Sequence, residues 1–467
     1  MQLPRVYAAA IVTLLAGCAT FSPDGGVDSV QALARERIDF KVAFPGKDAE
    51  SAQAIGVVRD ILRQPLTGDD AVRVALLNNP SLRVSFAELG IAEADLVQAG
   101  RLANPRYIFS NRRSSEAASI ERTILFNVLS LVALPLTQKV AGRQFETVQL
   151  QVASAVLQLA RDTSRAYFLA LAAQESVKYF EQVKIAAHAS AELAERMATV
   201  GNFNKLTQMR EQAFDADATG QLAKAKLAAV IEREQLTRLL GLSGADIGFR
   251  LPDRLPDLPA TLVEPVDAER VALERRLDVQ MAKRSTEAMA GNLGLTKATR
   301  FINVLELGYS NESDTGEKRK NGYEIDIELP LFDWGDARLA RAEATYMQSV
   351  HRAAEVALTA RSEVRANYQT YRTTYDLARH YRDEVVPLRK RIADENLLRY
   401  NGMLISVFEL LVDAREQIAS VNAYIEALRD FWLADTDLQL ALNGKSPGSD
   451  PRLRANAMPT GGAGSGH

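Results

Sequence analysis

Residues 322–335 read GYEIDIELPLFDWG. Tyr323, Ile325, Ile327 and Leu329 alternate with Glu324, Asp326 and Glu328, a period of two that puts apolar side chains on one face of an extended strand and carboxylates on the other. On a soluble sheet the acidic face would meet bulk water. In a transmembrane strand the apolar face meets lipid and the acidic face meets a water-filled lumen, where Glu324, Asp326 and Glu328 would set the local charge. FINVLELGY at 301–309 is the expected partner, joined through the polar loop NESDTGEKRKN at 311–321. Upstream, RYIFS at 106–110 and ILFNVLSLVAL at 124–134 flank the polar loop NRRSSEAASIER, although both faces of that second strand are apolar. Tyr107, Phe109, Phe301, Tyr309, Tyr323, Phe332 and Trp334 cluster near strand ends, where an interfacial aromatic belt belongs.

Two hairpins give four strands, and four strands cannot close a barrel in lipid. Open edges leave backbone groups unpaired in hydrocarbon at several kcal/mol each, and barrels begin at about eight strands. The strand count therefore predicts a cyclic homo-oligomer that shares one barrel.

The chain also repeats itself. Asp70-Ala71 with Ala75-Leu76 recurs as Asp267-Ala268 with Ala272-Leu273, and Leu134-Pro135-Leu136 with Arg143 recurs as Leu329-Pro330-Leu331 with Arg338. Gly201 answers Gly402, and Leu240-Gly241 answers Asn443-Gly444. The near-constant offset defines two copies of one unit, 67–242 with a hairpin at about 104–135 and 267–444 with a hairpin at about 301–331. Between them, residues 243–266 carry Pro252, Pro256, Pro259 and Pro265, a density that forbids helix and predicts an extended linker. Residues 445–467 are poor in apolar side chains and are expected to be disordered.

Each copy also predicts long helices around a tight turn. Val152, Leu159, Ala166, Ala173 and Phe180 fall seven apart, as do Val350, Ala357, Val364, Tyr371 and Ala378. A sustained seven-residue interval calls for packed, supercoiled helices, and residues 138–200 alone would reach about 94 Å. A lipid-anchored periplasmic coiled-coil scaffold without channel activity would satisfy the helices; the strands argue for a pore.

At the N-terminus Arg5 precedes an apolar run from Val6 to Ala16, the order of a secretory signal too short to span a bilayer as a helix. The run ends at Cys18, the chain's one cysteine, which has no disulfide partner within the chain. Leu15-Ala16-Gly17-Cys18 resembles the lipobox of bacterial lipoproteins, which implies a signal peptide over 1–17, acylation (palmitate) at Cys18 and a lipidated periplasmic segment over 18–66. Ala19 in place of aspartate fits sorting to the outer membrane. The net charge of −3 offers no basic excess for nucleic acid.

Taken together, residues 65–105 (PLTGDDAVRVALLNNPSLRVSFAELGIAEADLVQAGRLANP), 328–344 (ELPLFDWGDARLARAEA) and 399–418 (RYNGMLISVFELLVDAREQI) resemble the TolC-like outer-membrane efflux proteins. The resemblance spans nearly the whole mature chain. It implies a mainly α protein with a small β part: a homotrimer whose twelve strands form one barrel above a periplasmic α-barrel. It further implies a passive exit duct in a tripartite efflux system, docked to a periplasmic adaptor and an inner-membrane transporter. The turns at 201–205 and 401–406 would form the periplasmic tip, with Gly201, Asn202, Asn401 and Gly402 as adaptor contacts. Glu409 and Asp413 would lie at the tip aperture, where Glu409 close to its symmetry mates would favour cations. Two departures stand out: Met403 occupies a position where the family pattern has glycine, and Leu277 one where it has proline.

His188 and Glu192, His351 and Glu355, and His380 and Glu384 each share a helix face, but two ligands per helix are too few for a metal site. With no phosphate-binding glycine loop, nucleophile elbow or HExxH, neither an enzyme nor a cofactor is expected.

Overall fold

The computed structural model describes residues 19–38, 48–113, 115, 118–302 and 304–444; Cys18, the segment 1–17 and the tail 445–467 lie outside them. The architecture is mostly helical with one four-stranded sheet. Short helices α1 (Val27–Arg35) and α2 (Asp48–Leu62) lead into α3 (Gly68–Asn78) and α4 (Pro80–Ala99), then β1 (Arg106–Arg113) and β2 (Ala118–Asn127). The long helices α5 (Val128–Thr199) and α6 (Lys205–Leu240) follow. The second half runs α7 (Ala268–Arg275), α8 (Leu277–Thr299), β3 (Leu305–Asp314), β4 (Lys320–Ile327), α9 (Asp336–His380), α10 (Val386–Asn401) and α11 (Val407–Asn443). The chain divides into two compact units: one holds the sheet, with Val84–Ala153 and Leu277–Leu358, and the other holds Ala34–Arg83, Ser154–Arg276 and the chain from Thr359.

In the sheet unit the strands lie in sequence order and all neighbours are antiparallel. The strands reach further into the polar segments than their apolar residues predict: β1 runs to Arg113, β2 begins at Ala118, β3 runs to Asp314 and β4 begins at Lys320. In the first hairpin the second strand stops at Asn127, and residues 128–134, expected as strand, open α5 instead. The cause is a cap: the Ser130 N–H donates to Asn127 Oδ1 at 2.7 Å, satisfying an orphan donor of the first turn. Pro135 therefore sits inside a helix, whereas Pro330 precedes α9, so the repeated Leu-Pro-Leu takes different conformations in the two halves.

In the helical unit the seven-residue seam is buried along Val156, Leu159, Thr163, Ala166 and Ala170, and again at Val364, Tyr371 and Ala378. Both halves open with a helix interrupted at one residue. Asn79 (φ −69°, ψ 124°) and Arg276 (φ −60°, ψ 127°) leave the helical region while each N–H still reaches the carbonyl four residues back. Pro80 explains the first break, because a residue before proline is pushed out of the α region. Leu277 cannot explain the second. There the buried Arg276 guanidinium is held by the Ala441 carbonyl at 3.3 Å and Glu363 at 2.8 Å. Asn79 likewise donates to the Leu239 carbonyl at 2.7 Å.

The segment 243–266 is extended apart from a 3-10 turn at Gly244–Gly248. It is strapped to the helices: the Leu255 N–H reaches Glu175 at 2.8 Å, Gln174 the Pro252 carbonyl at 2.8 Å and Trp432 the Pro256 carbonyl at 3.0 Å. Burial raises the Glu175 carboxyl pKa, opposed by that backbone donor. Between α9 and α10 lies a π-helical turn, Tyr381–Val385. Pro387, just inside α10, lacks the N–H of a regular helix and its ring would crowd the preceding turn, which the wider π turn relieves.

Candidate functional site

The pairing register sorts the sheet into two faces. On one, Tyr107, Phe109, Ile124, Phe126, Leu305, Leu307, Tyr309, Tyr323, Ile325 and Ile327 lie side by side across the four strands. These side chains turn outward: Tyr323 is 91% exposed and Ile325 63%. Beyond β4 the apolar run continues through Leu329, Leu331, Phe332 (99% exposed) and Trp334. A contiguous apolar surface of this extent needs a covering medium. The rings of Tyr309 and Tyr323 meet edge to face across the strands, 6.2 Å between centroids.

The other face is charged. Glu324 and Asp326 lie here, Asp326 paired with Glu306 across β3 and β4 and Glu324 with Gly308. Glu328 falls just past the strand end, its N–H reaching the Val304 carbonyl. The strand pattern missed the remainder. Arg106, Arg112 and Lys320 share this face with Glu121, Glu306, Glu312, Asp314, Glu324 and Asp326, so three cations meet six carboxylates, a net of −3. Arg106 binds Glu306 at 2.7 Å. The signal for Glu306 was present in the alternation of LELGY, but it becomes decisive only once the register sets it opposite Asp326. Gly308 allows the strands to approach here: a Cβ would lie 2.5 Å from Leu125 Cδ2. The outer edges of β1 and β4 have no strand neighbour among the described residues.

The two helical turns share one geometry. At the first, Gly201 (φ 81°) follows α5; its N–H reaches the Ala198 carbonyl at 3.1 Å and the Asn202 N–H the Met197 carbonyl at 2.9 Å. At the second, Met403 (φ 57°) does the same, with bonds from Met403 to Tyr400 at 2.9 Å and from Leu404 to Arg399 at 2.8 Å. Both are Schellman caps with a left-handed residue at the turn. Three residues later Asn204 and Ser406 cap the next helix, on Thr207 and Glu409. The structural counterpart of Gly201 is therefore Met403, and the pairing with Gly402 (φ −80°) is corrected by one residue. Asn202, Asn401 and Gly402 are exposed at these turns.

Glu409 sits exposed in the first turn of α11, and no ion pair engages it among the described residues. Asp413, one turn on, is half-buried and accepts a hydrogen bond from Asn396 of α10. Sequence reasoning missed a buried clamp nearby: Glu211 of α6 accepts from Ser190 at 2.6 Å and from Arg415 of α11 at 2.7 Å, with the Arg415 guanidinium over the Phe214 ring at 4.0 Å. Nothing in the spacing links residues 204 positions apart.

Of the histidine pairs, His380 lies 3.3 Å from Glu384, while His188 faces Asp215 at 3.5 Å and Glu192 pairs with Arg196. Lys184, followed by His188, holds the Asp215 carboxyl below the usual range. Among the described residues no group of three or more potential ligands converges on a metal position. No described helix is long and apolar enough to cross a membrane.

The sequence matches no protein-family model, and no curated protein matches it. Solved structures do. The outer-membrane channel OprN superposes with a TM-score of 0.69 at 19% identity over 88% of this chain and 98% of that one. The outer membrane protein VceC of Vibrio cholerae gives 0.68 at 16% identity, over 84% and 96%. The open-state MtrE outer membrane channel of Neisseria gonorrhoeae gives 0.66 at 18%, over 81% and 89%. A mostly helical chain with a four-stranded sheet, polar on one face and apolar on the other, thus carries the TolC-like fold of outer-membrane channels.

Proposed function

We propose that this chain is the outer-membrane exit duct of a tripartite efflux system, a passive channel. The observation that carries the proposal is the sheet: one outward apolar face, one charged face and two unpaired edges. Edge groups left open in hydrocarbon cost several kcal/mol each, so β4 of one subunit must pair with β1 of the next. Strand order and direction allow it, because the new pair would also be antiparallel. Three subunits supply twelve strands, the number implied by the likeness to TolC-like proteins. The helix breaks at Asn79 and Arg276 and the matching caps at Gly201 and Met403 support an origin in two copies of one unit.

In this proposal the face bearing Glu306, Glu324 and Asp326 lines the lumen and favours cations. The turns at Gly201–Asn202 and Asn401–Gly402 meet a periplasmic adaptor coupled to an inner-membrane transporter, and Glu409 and Asp413 lie at the aperture. Acylated Cys18 adds a lipid anchor. No step requires a catalytic group. The deciding experiment is reconstitution in planar bilayers alongside mass measurement in detergent. A heat-modifiable trimer with cation-selective conductance is expected. A stable monomer that leaves membranes in high salt and carries no current would overturn the proposal and favour the scaffold. Glu409→Ala should change conductance or selectivity; an unchanged single-channel record removes Glu409 from the aperture.

A further inference from the structure

We propose that a cavity of about 270 Å³ in the helical unit, walled by Asp435, Asp69, Trp432 and Phe168, binds a compact organic cation of the arylalkylammonium class. Within the helical unit the cavity lies between the start of α3, the middle of α5 and the end of α11. Its volume sits just below the range usual for small-molecule sites, which limits the ligand to about one ring and its charged group.

Charge decides the ligand class. Two arginines and two aspartates line the cavity, but the arginines are already engaged. Arg161 binds Asp437 at 2.6 Å and Asp162 at 2.7 Å. Arg37 donates to the Arg275 carbonyl at 3.0 and 3.2 Å and pairs with Glu36. Asp435 and Asp69, by contrast, have neither a hydrogen bond nor an ion pair among the described residues, so the wall is left acidic. Asp435 is half-buried, and a partly desolvated carboxylate without a partner regains most from a cation. The aromatic wall favours the same class. Trp432 and Phe168 stack at 5.3 Å with 15° between planes and both line the cavity, and aromatic rings attract ammonium groups through the negative side of their quadrupole. A neutral ligand would leave the half-buried Asp435 carboxylate unanswered, and an anion would be repelled.

The chain has two tryptophans, so Trp334→Phe makes Trp432 the sole indole reporter. The full-length protein in detergent is titrated with benzyltrimethylammonium chloride at constant ionic strength, with benzyl alcohol as the neutral control. A saturable change in Trp432 emission is expected, at least tenfold tighter for the cation than for the alcohol. Asp435→Asn, nearly isosteric, should weaken the cation at least tenfold, and Asp69→Asn severalfold, with neither changing the alcohol. Absence of saturation, equal affinity for cation and alcohol, or an unchanged constant in Asp435→Asn overturns the proposal. So does saturation seen only after subunits are dissociated, which would assign the cavity to a basic side chain of a second copy. The inference does not rest on the duct: a protein that conducts nothing can still bind here, and a conducting one can fail to.

Discussion

Ile325 and Glu324 are neighbours in β4, yet the register sends them to opposite faces, and their replacement by arginine should have opposite consequences. Ile325 pairs with Leu307 in the middle of the apolar zone, which runs from Tyr309 and Tyr323 at one end to Phe332 and Trp334 at the other. An arginine on the lipid face near the bilayer midplane costs about 2–4 kcal/mol, and a trimer would carry three of them. Ile325→Arg should therefore lower the denaturant midpoint for unfolding from lipid vesicles and cut the yield of folded trimer. Glu324 lies beside Glu306 and Asp326 on the charged face, whose net charge of −3 becomes −1 in Glu324→Arg. If this face lines the proposed lumen, the new charge stays in water and stability should change by no more than about 0.5 kcal/mol, while the preference for cations should fall. Reversal potentials under a salt gradient read the second effect and vesicle unfolding the first. Equal destabilisation by the two variants, or a tolerated Ile325→Arg, would refute the assignment of the faces.

Met403 holds a left-handed backbone with a side chain 93% exposed, so Met403→Gly should stabilise the second turn by about 1 kcal/mol and raise the thermal midpoint slightly; a lower midpoint would contradict the cap. Arg276→Ala removes the donor to Glu363 and to the Ala441 carbonyl, and should cost about 3–5 kcal/mol, read as loss of thermal stability. Burial raises the Asp435 carboxyl from 3.8 to about 6. A group with a raised folded pKa stabilises fully below its unfolded value and loses that contribution as pH climbs through the folded value, here between about 4 and 6. Asp435→Asn should therefore be more stable than the parent at pH 8, by up to about 3 kcal/mol, and converge with it at pH 3; the opposite pH trend would show the carboxylate to be paired.

The period-two stretch at 323–329 exposed its two faces directly, because a strand half in one medium and half in another must alternate. The first hairpin was harder to place. Ile124 to Leu134 is apolar on both faces, so neither its face nor its end could be read, and the strand stops at a cap made by Asn127 rather than at any change in hydropathy. The polar strand tips read as loops because their side chains are of loop type, although backbone pairing continues to Arg113 and Asp314. Among candidate site residues, Glu324 and Asp326 follow from local pattern alone. Glu306 shows in the alternation of LELGY only once the register is known, whereas Arg106 and the Glu211–Arg415 clamp depend on contacts between distant segments and leave no local mark.

The two halves show what is preserved when letters change. At the first break, Pro80 forces Asn79 out of the helix and Asn79 then bonds the last turn of α6 at the Leu239 carbonyl. At the second there is no proline, yet Arg276 adopts nearly the same angles and bonds the last turn of α11 at the Ala441 carbonyl. Local covalent constraint in one half is replaced by a buried tertiary bond in the other. The turns repeat the lesson: Gly201 takes the left-handed position without strain, while Met403 takes it at a cost that the helices on either side offset. Where a residue is allowed to depart from the expected type, the compensating contact lies far away in sequence. That is why the departures at Leu277 and Met403 could be noticed from the letters but their consequences could not.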